Sequence, residues 1–245
     1  MTYLGYSNSD LEYIGENDIF NFQGVANPHT VANIQRGEVV LDIGSGLGID
    51  TFLAVRNCGA DACKDDDYTN NKPFVVGVDI AQSEVNHASK RAIDRGLAVP
   101  ECIRFIRGDV EKLSDALEKA NLATDNLFDV CISNGAFCLV PDKRKAFENV
   151  FKALRPGERM AISTTTVSDP KHLVKKSLLS RKDMQYRRDA FCVLIVVSFW
   201  VLHISTKFHI THKPLFVRMP TLLRPQYLDQ SQPSQEETQQ LVNDA

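Results

Sequence analysis

Residues 39–50, Val-Val-Leu-Asp-Ile-Gly-Ser-Gly-Leu-Gly-Ile-Asp, constrain this chain more than any other stretch. Val39 to Ile43 is a short apolar run of the kind a strand buried on both faces requires, and it leads straight into Gly44, Gly46 and Gly48. A strand feeding a tight turn is the expected local structure. Glycines there admit unusual backbone dihedrals and let a ligand approach with no Cβ in the way, while a helix beginning near Gly48 presents N–H groups to it. The turn is suited to hold a cofactor.

The spacing narrows the choice. A dinucleotide turn of the form G-x-G-x-x-G needs glycine at 49, where this chain has Ile49; its pattern is acidic-x-G-x-G-x-G from Asp42 to Gly48. A pyrophosphate cradle, and with it a nicotinamide dehydrogenase, is disfavoured.

The rest of the chain reads as alternating strands and helices. Residues 1–27 are polar and loosely patterned, with a short helix near Asp10–Gly15, and form either a lid or a mobile terminus. Pro28 is placed to open a helix carrying Val31, Ala32 and Ile34, which Gly37 ends. Thr51–Asn57 continues as a helix from the turn. The acidic stretch from Cys58 to Lys72 reads as a solvated loop rather than a metal site. Phe74–Asp79 is a second buried strand whose terminal Asp79 falls where a carboxylate can accept both hydroxyls of a ribose; Ser83 is available to cap the helix Gln82–Arg95 that follows. Cys102–Arg107 is a third strand, delivering Gly108, Asp109, Val110 and Glu111. Ser114–Asn121 is a short helix, and Asn126–Ile132 is a fourth strand with a polar exit at Ser133 and Asn134. Pro141-Asp142 starts a helix whose Ala146, Phe147, Val150, Phe151 and Leu154 form one apolar face. Arg155-Pro156-Gly157 ends it, and Met160–Ser163 is a fifth strand. This alternation predicts an α/β, doubly wound parallel sheet over residues 28–165.

Charge and cysteine usage bound the setting. Residues 1–168 carry 17 Lys+Arg against 24 Asp+Glu, which gives no nucleic-acid footprint. The six cysteines lack tight paired spacing, and the first ten residues have neither a basic start nor an apolar run. Free thiols in a reducing, cytoplasmic setting follow, and a monomer is expected. Residues 166–230 are a different kind of sequence: 11 basic and two acidic residues lie between Lys171 and Arg224, around the apolar run Phe191–Ile204. That run is shorter than the ~20 residues a spanning helix needs. A buried strand completing the sheet in altered form, a membrane-surface anchor and a divergent tail without a role are the three readings, the first preferred. Residues 231–245 are polar and expected to be disordered.

Several of these stretches resemble class I S-adenosylmethionine-dependent methyltransferases, and specifically the arsenite methyltransferase branch. They are Leu4-Gly5-Tyr6-Ser7, Gly24-Val25-Ala26-Asn27-Pro28, Leu41–Gly46, Gly77-Val78-Asp79, Ser133-Asn134, Pro141-Asp142-Lys143 and Leu154–Gly157. The resemblance implies a Rossmann-like sheet that normally finishes with an antiparallel hairpin, so that the C-terminal strands here are atypical. It implies S-adenosylmethionine as cofactor, held by Asp42, Gly44, Ser45, Gly46, Gly48, Asp79, Ile80, Asp109 (with Glu111 as the fallback), Val110, Ser133 and Asn134. It implies a small acceptor against the exit of strand four, with arsenite or a thiol-bound arsenical as the specific expectation and no resident metal. Two departures bear on that substrate. The branch has cysteine where this chain has Val25 and Gly135, and arsenite is a soft thiophile. Cys138 is the remaining candidate thiol. The rival readings are a small-molecule O-, N- or C-methyltransferase and a catalytically impaired cofactor-binding relative. No histidine is obviously placed as a base: His29 and His87 fall on predicted helices and are expected to be solvated.

Overall fold

In the computed structural model, residues 1–15, 22–62, 73–97, 99–164 and 215–218 are described. After helix α1 (Asn8–Ile14) and a single turn α2 (His29–Ala32), strand β1 (Val39–Ile43) leads into α3 (Ile49–Cys58). Then follow β2 (Phe74–Asp79), α4 (Gln82–Asp94), β3 (Ile103–Arg107), α5 (Leu113–Lys119), β4 (Phe128–Asn134), α6 (Lys143–Ala153), β5 (Leu154–Ser163) and β6 (Leu215–Arg218). The sheet order is β3-β2-β1-β4-β5-β6; the first five strands are parallel and β6 is antiparallel to β5.

The period-two alternation of the strands sorts side chains onto two faces. Val39, Leu41 and Ile43 of β1 join Val76, Val78, Phe128 and Cys131 beneath α5 and α6. Val40 joins Val75, Val130 and Ile132 on the opposite face beneath α3 and α4. Helices therefore cover both faces, and the apolar runs read from the sequence are strands buried on both sides. β1 sits at the centre with β2 on one side and β4 on the other, so a crevice opens at the carboxyl ends where the strand order reverses.

Several boundaries differ from the sequence reading, each for a local reason. α2 stops at Ala32 because Asn33 turns left-handed, with φ of 47°, so Ile34 lies outside it. Ser83 is not a cap: Ala81 holds that position on α4, without a side-chain bond, and Ser83 lies inside the first turn. β5 begins at Leu154 and includes Arg155-Pro156-Gly157, with a register shift against β4 between Phe128 and Val130. A proline lacks the N–H a regular ladder requires, and the irregular pairing accommodates it. The sheet also takes β6 from the stretch 166–230 that the sequence sets apart. The acidic loop beyond Ala62, the run Phe191–Ile204 and the tail 231–245 lie outside the described residues. Among the described residues no helix is long and apolar enough to cross a membrane.

The N-terminal segment is docked on the domain. Ser7 and Asp10 form a capping box at the start of α1, and Tyr6 and Ile14 are buried against Ile49 and Leu53 of α3.

Candidate active site

One cavity of about 770 Å³ occupies the crevice. Its walls are the β1 turn, the ends of β2, β3 and β4, the first turns of α4, the segment Phe22-Gln23-Gly24, and Leu139-Val140-Pro141. Of the residues singled out in the sequence, Asp42, Gly44, Ser45, Gly46, Asp79, Ile80, Asp109, Val110, Glu111 and Asn134 line it.

Gly48, Ser133 and Cys138 do not. A Cβ on Gly48 would stand 2.6 Å from the Phe105 ring, so this glycine permits helix α3 to pack on β3. Ser133 Oγ donates to Ile43 O at 2.8 Å and is 1% exposed, tying β4 to β1. The Cys138 thiol donates to Gly135 O at 3.0 Å. The described lining residues include no cysteine.

The turn is held by the protein's own groups. The N–H groups of Gly44 and Ser45 donate to Val78 O, that of Gly48 to Ser45 O, and that of Gly46 to Asp79 Oδ2 at 2.9 Å. These four amides are spent internally and are not offered to a ligand phosphate. A Cβ on Gly44 would stand 2.2 Å from that of Ala136, whereas one on Gly46 would meet nothing within 4 Å. Gly46 is thus the member of the turn that fronts open space.

Carboxylates dominate the electrostatics. Asp42, 2% exposed, accepts from Thr51 Oγ1 at 2.6 Å. Burial, then the nearby charge of Asp50, pushes its pKa up to about 8. Asp79 Oδ1 accepts from Ala81 N at 2.9 Å, so this one side chain braces both the turn and the approach to α4. Asp109 Oδ1 accepts from Glu111 N, capping a short 3₁₀ turn, while Glu111 Oε1 accepts from Asp142 N at the start of α6. Six acidic residues and no Lys or Arg are among the described lining residues. His87 also lines the cavity.

A second set of contacts went unread in the sequence. Tyr6 Oη lies 2.6 Å from Asp50 Oδ1, and burial beside Asp50 pushes the phenol's pKa up. Asn134 Nδ2 donates to Asp50 Oδ2 at 3.0 Å. His29 is not solvated: its side chain is 7% exposed, its Nε2 3.3 Å from Asp50 Oδ1 and its Nδ1 3.2 Å from Asn57 Nδ2. Asn27 donates to Gly5 O and accepts from His29 N. Asp50 and Tyr6 both stand within motifs that drew attention, yet nothing local to either signals the contact between them.

A family model described as a methyltransferase domain matches residues 34–217. The chain belongs to this family. Among curated proteins, this methyltransferase is 30% identical over 167 residues to an arsenite methyltransferase of Halobacterium salinarum, covering 68% of this chain and 37% of that protein. It is 27% identical over 133 residues to the arsenite methyltransferase of Mus musculus, at 53% and 31% coverage. It is 30% identical over 131 residues to phosphoethanolamine N-methyltransferase of Triticum aestivum, at 54% and 21%. The chain thus spans less than half the length of these relatives. Among solved structures it resembles an arsenic(III) S-adenosylmethionine methyltransferase of Chlamydomonas reinhardtii, with a TM-score of 0.57 and 24% identity over 78% of this chain and 60% of that one, a likeness of fold.

S-adenosylmethionine is the cofactor, and the cavity's chemistry fits it. The molecule carries sulfonium and ammonium charges against one carboxylate, and a wall of carboxylates without Lys or Arg complements a net cation. Gly46 leaves the space that a side chain would fill.

Proposed function

We propose that this protein transfers the methyl group of S-adenosylmethionine to a small acceptor, with trivalent arsenic, as arsenite or a thiol-bound arsenical, the leading candidate. The observation that carries the reading is the single cavity joining the glycine turn to the wall at Gly135–Pro141, with carboxylates and no cationic side chain among its described lining residues. Such a wall repels phosphorylated or carboxylated acceptors and tolerates a neutral one; arsenite is uncharged near neutral pH. The Halobacterium relative supports the same substrate class.

In this reading Asp79 takes the ribose hydroxyls on lone pairs that Gly46 N and Ala81 N leave available, Ile80 and Val110 flank the adenine, and Asp109 accepts from its amino group. Gly44, Ser45 and Gly46 lie along the methionine portion. Bound there, S-adenosylmethionine supplies an electrophilic methyl on a sulfonium centre. The protein's part is to align acceptor and methyl and to exclude water, which accounts for a large share of rate without a base. An arsenic lone pair needs no deprotonation, and His87, on the exposed rim, is not required.

The absence of a thiol among the cavity's described lining residues favours a second reading, in which the acceptor is an oxygen, nitrogen or carbon nucleophile or turnover is weak. Both readings start from cofactor binding. Calorimetric titration with S-adenosylhomocysteine should give micromolar affinity that Asp79→Ala removes; no binding by folded protein sinks the assignment. S-adenosylhomocysteine release with arsenite plus glutathione then supports the arsenic reading, and release only with other acceptors overturns it.

A further inference from the structure

The carboxamide of Asn134 is spent on the protein itself. Its Oδ1 accepts from Val25 N at 2.8 Å and Ala26 N at 3.4 Å; its Nδ2 donates to Ala26 O at 2.7 Å, Tyr6 Oη at 3.0 Å and Asp50 Oδ2 at 3.0 Å. The reverse orientation would set the carbonyl oxygen against a carboxylate and a backbone carbonyl, so the network fixes the amide. Tyr6 closes the circuit, with Oη 2.6 Å from Asp50 Oδ1 and its ring edge-on to Phe22, centroids 5.5 Å apart. The segment lies directly on this amide: a Cβ on Gly24 would stand 2.3 Å from Asn134 Nδ2. Phe22, Gln23 and Gly24 are one wall of the cavity; Tyr6 is not part of the lining.

We propose that Asn134 is a positioning residue, a latch that holds the segment from Phe22 to Pro28 as the cavity wall. Cofactor affinity then depends on the latch and on Tyr6, which never touches the ligand. This rests on reading the cavity as the cofactor site, but the latch itself is testable without any ligand.

The test uses the full chain and two variants. Asn134→Asp keeps an acceptor toward the Val25 and Ala26 amides, loses both donors and places a carboxylate against that of Asp50. Its affinity for S-adenosylhomocysteine relative to wild type should fall about tenfold or more near pH 9 and recover toward about pH 5, where the new carboxyl is protonated and donates again. Tyr6→Phe keeps the ring packing and removes the hydroxyl; affinity should fall several-fold. In ligand-free protein, amide exchange at Val25 and Ala26 should quicken in both variants. Wild-type binding with unchanged affinity and exchange in Tyr6→Phe and a pH-independent ratio for Asn134→Asp overturns the latch. If Asn134→Asp does not fold, Tyr6→Phe decides by both readouts. If wild type binds nothing, the cofactor assignment fails, and exchange at Val25 and Ala26 still decides the latch.

Discussion

The glycines of the β1 turn do different work, and alanine substitution should separate them. Gly44 has φ of 73°, and an added Cβ would sit 2.2 Å from the Cβ of Ala136, against a normal carbon contact of about 3.5–4.0 Å. Relieving that overlap moves backbone by more than about 1 Å, because Ala136 has no flexible side chain to swing away. Left-handed alanine costs about 1 kcal/mol and overpacking a further 1–3, so Gly44→Ala should cost about 3 kcal/mol. For a domain of this size that lowers Tm by roughly 6–12 °C. Gly46, with φ of 50° and nothing within 4 Å of its Cβ position, should lose about 1 kcal/mol, or roughly 2–4 °C. On the proposed placement of the cofactor its methyl instead projects into the ligand's space, and affinity for S-adenosylhomocysteine should fall about tenfold or more. Thermal unfolding and calorimetric titration of the two proteins read both effects. Equal stability losses, or wild-type affinity in Gly46→Ala, would refute the division.

Asp42 should make cofactor binding pH-dependent. Its pKa is raised to about 8 in the folded protein, so the neutral acid is the favoured form and stability falls as pH rises from about 4 to about 8. A bound cation favours the ionised form, so S-adenosylmethionine should bind more tightly as pH rises to about 8 and level off above, releasing a proton below it; titration in buffers of different ionisation enthalpy counts that proton. Asp42→Asn should flatten the profile. Cys138→Ser should leave turnover within about twofold of wild type with any acceptor, since the thiol serves Gly135 O outside the cavity; loss of arsenite methylation alone would place it in the reaction. Arg159 pairs with both oxygens of Glu38 at 2.7 Å and donates to Ala32 O and Asn33 O, so Arg159→Ala should cost about 3 kcal/mol in urea unfolding, with no effect on cofactor affinity.

What the sequence exposed was local. β2 is legible to the residue because an apolar run ends in an acid, and the glycine turn because its special residues are adjacent. The same holds for the placement of Asp79 and Asp109, whose positions follow from where their strands stop. Where a boundary went unread, the deciding contact was elsewhere: Asn33 ends α2 early through its own left-handed backbone, and β5 runs through Pro156 because β4 shifts register to receive it. Gly48 and Ser133 follow the motif but face the interior, a distinction between neighbouring side chains that spacing alone does not carry. His29 looked solvated because its partners, Asp50 and Asn57, belong to the next helix. No periodicity announces that Tyr6 and Asn134 meet.

The separation of those two residues also orders events in time. Tyr6 and Asn134 stand 128 positions apart, and Val25 and Asn134 stand 109. During synthesis the segment that walls the cavity is made before the amide that holds it, which waits for β4. Contacts of such span form only after the intervening strands have closed the distance, because loop closure must be met before the contact rewards it. The sheet can therefore assemble first and the cavity wall settle onto it last. Ligand binding would then report the final step of folding, whereas far-ultraviolet dichroism would report the earlier ones.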